Sequence, residues 1–261
     1  MSVPLFFIVL FFSYSALAEE IVLEANESPP FWSQELPNQG MGGDIVQAIS
    51  SVSGLKTTIR FLPLKRLIER TDNNDLGNPL FYMPNQDFAA IIPIASYHVS
   101  FFYYQPLQKE VIGDDLLQNL QHYKIGVLEG TFAEHRYFSE RNISFETSYS
   151  QASLFKKLKH GRVDLVLAVD LVAIRTINQL FPEQAHEFKQ INLPNSGEPI
   201  AIMISENQKE AENVAAKYRQ GLKEIIKSGQ YLQVLKKYYG VFFPVNWLSD
   251  LDKFEQLYSY E

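Results

Sequence analysis

The chain contains no cysteine. Disulfides, thiol catalysis and cysteine-ligated metals are therefore excluded, as is a lipid-bearing cysteine behind a leader. Positive charge is also in deficit. The 23 Lys and Arg face 30 Asp and Glu, and the resulting net charge of −7 argues against non-specific nucleic-acid binding. No block of like charges suggests a tail. The five histidines are scattered without metal-ligand spacing, and no cofactor is expected. Long apolar runs are missing beyond the N-terminus; Val241 to Leu248 is apolar but short and carries Pro244. What is abundant is aromatic. With 19 Phe and 14 Tyr the chain is not disordered, and its 261 residues suit one large or two modest domains.

Met1 to Ala18 stands apart. Leu5 to Tyr14 is an uncharged apolar run, too short for a comfortable membrane span, and Ala16-Leu-Ala18 has the small-x-small form of a cleavage site. Lys and Arg are missing from its n-region. Export with cleavage near Ala18 is expected, a retained anchor being the alternative. Export without cysteine fits a soluble protein of a bacterial periplasm better than a secreted eukaryotic one.

The mature chain opens with a strand at Glu20 to Ala25. A Pro-rich loop comes next and holds Phe31 and Trp32, a pair that either packs under the loop or forms a stacking wall for a ligand. Gly40-Met-Gly-Gly-Asp44 reads as a Gly-rich turn, with Asp44 as cap of a helix over 45–52. Its Gly spacing is wrong for dinucleotides. Lys56 to Leu62 is a strand. Pro63 starts a helix whose first turn holds Lys65 and Arg66, where the helix dipole disfavours cations. Either both are solvated, or Arg66 faces an acidic partner or ligand. Thr71 to Pro79 is polar and turn-like, Leu80 to Met83 a candidate short strand, and 98–104 a strand. Val111 to Leu120 reads as a short helix. Strand 125–128 then ends in Gly130-Thr131. Thr131 can cap a helix over 132–140, and the free N–H groups there either make an ordinary turn or receive a polar ligand group. A strand at 143–147, a helix capped by Ser150, a strand at 163–169, a helix from Asp170 and a last strand near 188–193 complete a β-α-β-α-β-α-β run. Strand 200–204 and the helices after it are left to cross back to the first unit. The pattern predicts two α/β lobes, with crossings near 102–107 and 192–199 and a cleft between them.

Lys124-Ile-Gly-Val-Leu-Glu-Gly-Thr131, then Tyr149-Ser150 before a helix, then Leu158-Lys-His-Gly-Arg-Val-Asp164, resemble family 3 bacterial solute-binding proteins, the periplasmic amino-acid binders of ABC transporters. Gly40 to Asp44 and the turn at Gly229-Gln230 with Leu235 to Tyr239 are similar to other parts of that family, so the resemblance spans roughly 20 to 240. It implies a type II periplasmic-binding fold, in which each lobe is a mainly parallel sheet flanked by helices and a two-stranded hinge joins them. Lobe 1 is expected over 19–104 plus 198–261 and lobe 2 over 105–197. The resemblance also implies a monomer that captures a small-molecule solute for an ABC permease or a membrane sensor. Two of the family's ligand partners are displaced. The stretch 80–91 has no Arg to grip a carboxylate. The Asp that holds the ligand ammonium falls on Val169, with Asp170 one residue later. The candidate contacts are Phe31, Trp32, Arg66, Tyr82, Asn85, Gln86, Tyr97, Gly130, Thr131 and Asp170. A lyase-type enzyme on the same scaffold would need an acid or base in the cleft, and Glu129, Glu134, His135 and Asp170 are nearest by sequence.

Overall fold

The computed structural model describes residues 20–258 apart from 71, 85, 109–115, 130–137, 139–142 and 194–195. The expected leader, the Gly130-Thr131 turn and the helix after it lie outside the described residues. Among the described residues, ten strands form two five-stranded sheets. The first is ordered β2-β1-β3-β10-β4 and uses β1 (Glu20–Ala25), β2 (Lys56–Phe61), β3 (Asn74–Gly77), β4 (Phe88–Tyr97) and β10 (Glu198–Ser205). The second is ordered β7-β6-β8-β5-β9 and uses β5 (Val99–Tyr104), β6 (Ile125–Leu128), β7 (Phe145–Ser148), β8 (Leu165–Val169) and β9 (Phe188–Asn192). The two orders are equivalent. Each has three parallel strands, then one strand arriving from the other half of the molecule and inserted antiparallel, then a fifth strand that runs parallel to the first three. The sheets are thus mixed. One antiparallel strand joins each otherwise parallel sheet because each lobe borrows its fourth strand across the hinge.

That borrowing moves the first crossing. The sequence places strand β5 in lobe 1, yet it pairs with β8 and β9 of the second sheet. The chain passes between lobes at His98, the single residue between β4 and β5. The reason lies in the side chains of β5. Phe102 and Tyr104 point into one apolar core and Phe101 and Tyr103 into another, and both cores are completed by residues of the second sheet. The return crossing runs beside the first. The Ser196 hydroxyl donates to the Val99 carbonyl at 3.0 Å and accepts from its N–H at 3.2 Å. A Cβ on Gly197 would come within 2.8 Å of the His98 ring, so glycine lets the two crossings lie close.

Helix α1 (Gly40–Ser53) starts earlier than expected, and Asp44 lies inside it, not at its cap. The glycines explain this. Gly40 has φ +89, and a Cβ on Gly43 would stand 2.0 Å from the Asn38 carbonyl oxygen. Only glycine lets the preceding loop fold down on the helix start. Asp44 instead ties α1 to α6 (Gln230–Tyr239). Its carboxylate accepts from Asn38 at 2.7 Å, Lys237 at 2.5 Å and the Tyr238 hydroxyl at 2.7 Å. Burial opposes ionisation of Asp44, but these bonds outweigh it and hold its carboxyl below the ordinary value.

Two short elements also differ from expectation. Strand β3 lies in the stretch read as polar loop, and Pro79–Phe81 is a single 3-10 turn, not a strand. The polar residues of β3 are buried with partners. Asn74 donates to Gln208 at 2.7 Å and accepts from the Ser205 N–H at 2.9 Å, so tertiary bonds replace the apolar pattern that normally marks a strand. Within the expected 111–120 helix, the described part is a 3-10 turn at Leu116–Gln118. The remaining helices are α2 (Leu64–Ile68), α3 (Gln151–Lys159), α4 (Asp170–Leu180), α5 (Ala211–Lys227) and α7 (Trp247–Tyr258). The Ser150 hydroxyl caps α3, accepting from the Ser153 N–H at 3.1 Å. Among the described residues no helix is long and apolar enough to cross a membrane.

Candidate functional site

A cavity of about 190 Å³ opens between the lobes. In open α/β sheets ligands sit beyond the carboxyl ends of the strands, and this cavity does so on both sides. Its first-lobe wall comes from the loop after β1 (Asn26, Ser28, Phe31, Trp32), the segment after β3 (Asn78, Phe81, Tyr82) and Tyr97 at the end of β4. Facing it are Val169, the last residue of β8, and Val172, in the first turn of α4.

The β1 loop owes its shape to a tight turn. The Ser28 carbonyl accepts from the N–H groups of Phe31 at 2.9 Å and Trp32 at 3.1 Å. The first N–H groups of α1 then hold the turn down, with Met41 donating to Pro30 and Gly42 donating to Phe31 at 2.7 Å. A Cβ on Gly42 would touch the Trp32 ring at 3.3 Å. The Gly-rich motif therefore serves to seat an aromatic wall, and its helix N–H groups are spent on the loop. Phe31 and Trp32 are 5% and 4% exposed, so they both pack in the core and face the cavity. Their rings tilt at 48° with centroids 5.9 Å apart, and Tyr97 lies 5.5 Å from Phe31 at 49°.

Polar groups behind the wall are mostly spent on one another. Asn78 donates to the Tyr97 hydroxyl at 3.0 Å and to Glu198, and its side-chain oxygen accepts from the Leu80 N–H. Tyr97 donates to Glu198 at 3.2 Å. Burial, then the Glu198 charge, pushes the Tyr97 hydroxyl well above its ordinary value, so it stays a neutral donor. Tyr82 packs over Gly77, where a Cβ would meet its ring and hydroxyl at 3.0 Å. Two groups are not spent. Trp32 Nε1 and the Tyr82 hydroxyl are buried without a hydrogen-bond partner among the described residues.

Of the residues proposed from sequence, Phe31, Trp32 and Tyr82 are brought together on this wall, with Tyr97. Arg66 is exposed on α2 and does not line the cavity. Asp170 is 2% exposed and turned off the wall. Its carboxylate accepts from the Leu171 N–H at 2.6 Å and the Tyr239 hydroxyl at 3.4 Å. Burial raises its carboxyl to about 6, against the opposing pull of the Leu171 N–H and His98. Val169 takes the cavity-facing place and Asp170 opens the helix behind it, as a one-residue step at a strand end requires. Gln86 is buried away from the cavity and donates to the Asn73 carbonyl at 3.2 Å. Gly130, Thr131, Asn85, Glu134 and His135 lie outside the described residues. Asn78, Phe81 and Val172 escaped the sequence reading. The first two sit in a stretch that looks like a turn, and Val172 reads as part of a buried helix face.

Solved structures match this fold over most of the chain. A polar amino acid ABC uptake transporter substrate-binding protein from Streptococcus thermophilus superposes with a TM-score of 0.70 at 12% identity, covering 91% of each chain. The chain has the fold of the amino-acid ABC substrate-binding proteins. The arginine-, lysine-, histidine-binding protein ArtJ from Geobacillus stearothermophilus gives a TM-score of 0.53 at 18% identity, covering 90% of this chain and 100% of its own. A histidine kinase sensor domain with similarity to periplasmic binding proteins gives 0.53 at 18% identity, covering 86% and 98%. No protein-family model matches the chain, and no curated protein does.

Proposed function

We propose that the chain is a periplasmic solute-binding protein that captures a small polar solute between its lobes and presents the closed form to an ABC-type permease. The observation that carries this reading is the cavity formed at the strand ends of both sheets, with walls from both lobes. The lobes divide at His98, between β4 and β5, and the return crossing at Ser196-Gly197 lies beside it, the two together forming the hinge. A solute closes such a hinge only if it binds the closed form more tightly than the open one. The protein acts as a monomer, is exported through a cleaved leader and needs no cofactor. It is a binder, not an enzyme.

A second reading has the same capture event feeding a membrane sensor, and the kinase sensor domain among the structural neighbours favours it. Equilibration with a small-molecule extract of bacterial cells, with mass spectrometry of the intact complex as the readout, tests the shared core of both. A stoichiometric solute recovered unchanged is expected. Its conversion to product would establish an enzyme, and no retained solute would remove the capture reading.

A further inference from the structure

Two crossings at one edge leave a pair of lobes free to rotate about them. We propose that the C-terminal segment 239–250 is a strap that latches the lobes at the angle enclosing the cavity, and so sets solute affinity from outside the cleft. The latch rests on the capture reading, since only a hinged binder needs one.

The strap is rooted in lobe 1. Trp247 lies against Tyr231 with ring centroids 5.0 Å apart, and the Tyr231 hydroxyl donates to the Ile94 carbonyl of β4 at 2.8 Å. Leu251 and Phe254 of α7 are buried, and α7 packs along β4. From that root the segment reaches lobe 2. The Tyr239 hydroxyl lies 3.4 Å from the Asp170 carboxylate at the start of α4 and 3.5 Å from the Ser96 carbonyl of β4, so one hydroxyl faces both lobes. Phe242 meets Phe102 of β5 edge-on, with centroids 6.3 Å apart at 64°. Phe242 and Phe243 pack on a single apolar core that draws Ile94 and Ile200 from the first sheet and Phe102 and Val166 from the second. A core continuous across both lobes resists their separation, because opening it returns apolar surface to water.

The strap also holds the crossing itself. His98 Nε2 meets the Asp250 carboxylate at 3.0 Å, and the His98 carbonyl accepts from the Asp170 N–H at 2.9 Å. The one residue between β4 and β5 is thus gripped from α7 by its ring and from α4 by its backbone. Hinge motion concentrates its dihedral changes in a few such residues, so rotation at His98 must stretch or release one of these bonds.

These contacts stand apart from the solute. Successive residues part company at both lobe edges: Tyr97 and Val169 line the cavity, whereas His98 and Asp170 meet the strap. No residue of 239–250 is on the described cavity wall. A groove of about 640 Å³ lies between residues 241–245 and residues 186–192 of lobe 2, which leaves the strap room to shift against β9. A strap that favours the enclosing angle raises the fraction of ligand-free chains ready to bind, and apparent affinity scales with that fraction.

Lobe separation can be read without any solute. The chain has no cysteine, so two introduced thiols alone take the spin labels for pulsed EPR distance measurement. Lys65 and Tyr149 are exposed and follow the outer strands β2 and β7, far from the crossings. Full-length mature protein carrying Lys65→Cys and Tyr149→Cys is the parent. Tyr239→Phe keeps the ring and removes the bridging hydroxyl, Phe242→Ala removes the ring on Phe102, and Asp250→Ala frees His98. Each should lengthen and broaden the ligand-free separation. In the cysteine-free chain each should weaken retention of the solute taken from cell extract roughly 3- to 10-fold. A merely structural role would lower the melting temperature and leave the separation as in the parent, which would overturn the latch. Shorter separations would overturn it too, since the strap would then oppose closure. If Phe242→Ala does not fold, the other two variants decide. If the parent chain retains no solute, capture fails, while the ligand-free separations still decide whether the strap holds the lobes.

Discussion

Asp75 offers a quantitative check on the lobe that carries the aromatic wall. It is 2% exposed and stands beside Glu24 on the neighbouring parallel strand, with Tyr82 close by. Glu24 already accepts from Arg60 and Arg70. Burial, and secondarily the Glu24 charge, pushes the Asp75 carboxyl from an ordinary 3.8 up to about 8. The unfolded chain loses this proton near pH 4, whereas the native chain keeps it to about pH 8. Between those values the native state binds more protons, so stability falls as pH rises. Each unit of the interval is worth about 1.4 kcal/mol. Asp75→Asn imitates the protonated acid and does not titrate. It should match the wild type near pH 3 and exceed it by up to about 4 kcal/mol at pH 7, the gap widening through pH 5 and 6. Urea unfolding at each pH, read by fluorescence of Trp32 and Trp247, measures that gap. A variant no more stable than wild type at pH 7, or a gap that is the same at pH 4 and pH 7, would refute the reasoning.

Gly43→Ala separates two opposed effects. Alanine in a helix interior is ordinarily worth about 0.5–1 kcal/mol of added stability. Here its Cβ would stand 2.0 Å from a backbone oxygen, so a net loss of about 1–3 kcal/mol is expected, with weaker solute binding as the aromatic loop lifts. A rise in thermal stability would contradict the close approach. Asp44→Asn should cost about 1–2 kcal/mol at pH 7, because Lys237 loses its anionic partner at a mostly buried carboxylate. Since the native Asp44 carboxyl is held below its ordinary value, that cost should shrink as pH falls through the acid range, and chemical unfolding at pH 3 and pH 7 reads the difference.

Much of the molecule was legible in the chain itself. The alternating runs of strand and helix, the Ser150 cap and the break at Ser228-Gly229, where Gly229 has φ +79, follow from local chemistry. So does the two-lobed plan, because the strand at 200–204 had no place in the second run. The aromatic pair Phe31-Trp32 was legible as an anomaly, two large apolar residues in a Pro-rich loop. What local chemistry did not carry was pairing. β5 is apolar on both faces, and only its partners β8 and β9 assign it to the second lobe and place the crossing at His98. β3 hides its strand character because the buried Asn74 is made tolerable by groups far along the chain.

The same division holds for the site. Composition alone determined that the chain lacks thiol chemistry, and the family resemblance marked Asp170 as one residue away from the expected position. The tertiary structure decided which side chains meet. It set Val169 against the aromatic wall and turned Asp170 into the helix start. It buried Trp32 Nε1 and the Tyr82 hydroxyl without a hydrogen-bond partner among the described residues. A sequence records which donors a chain owns. Only the folded backbone determines which of them are spent on neighbours and which rings line a cavity.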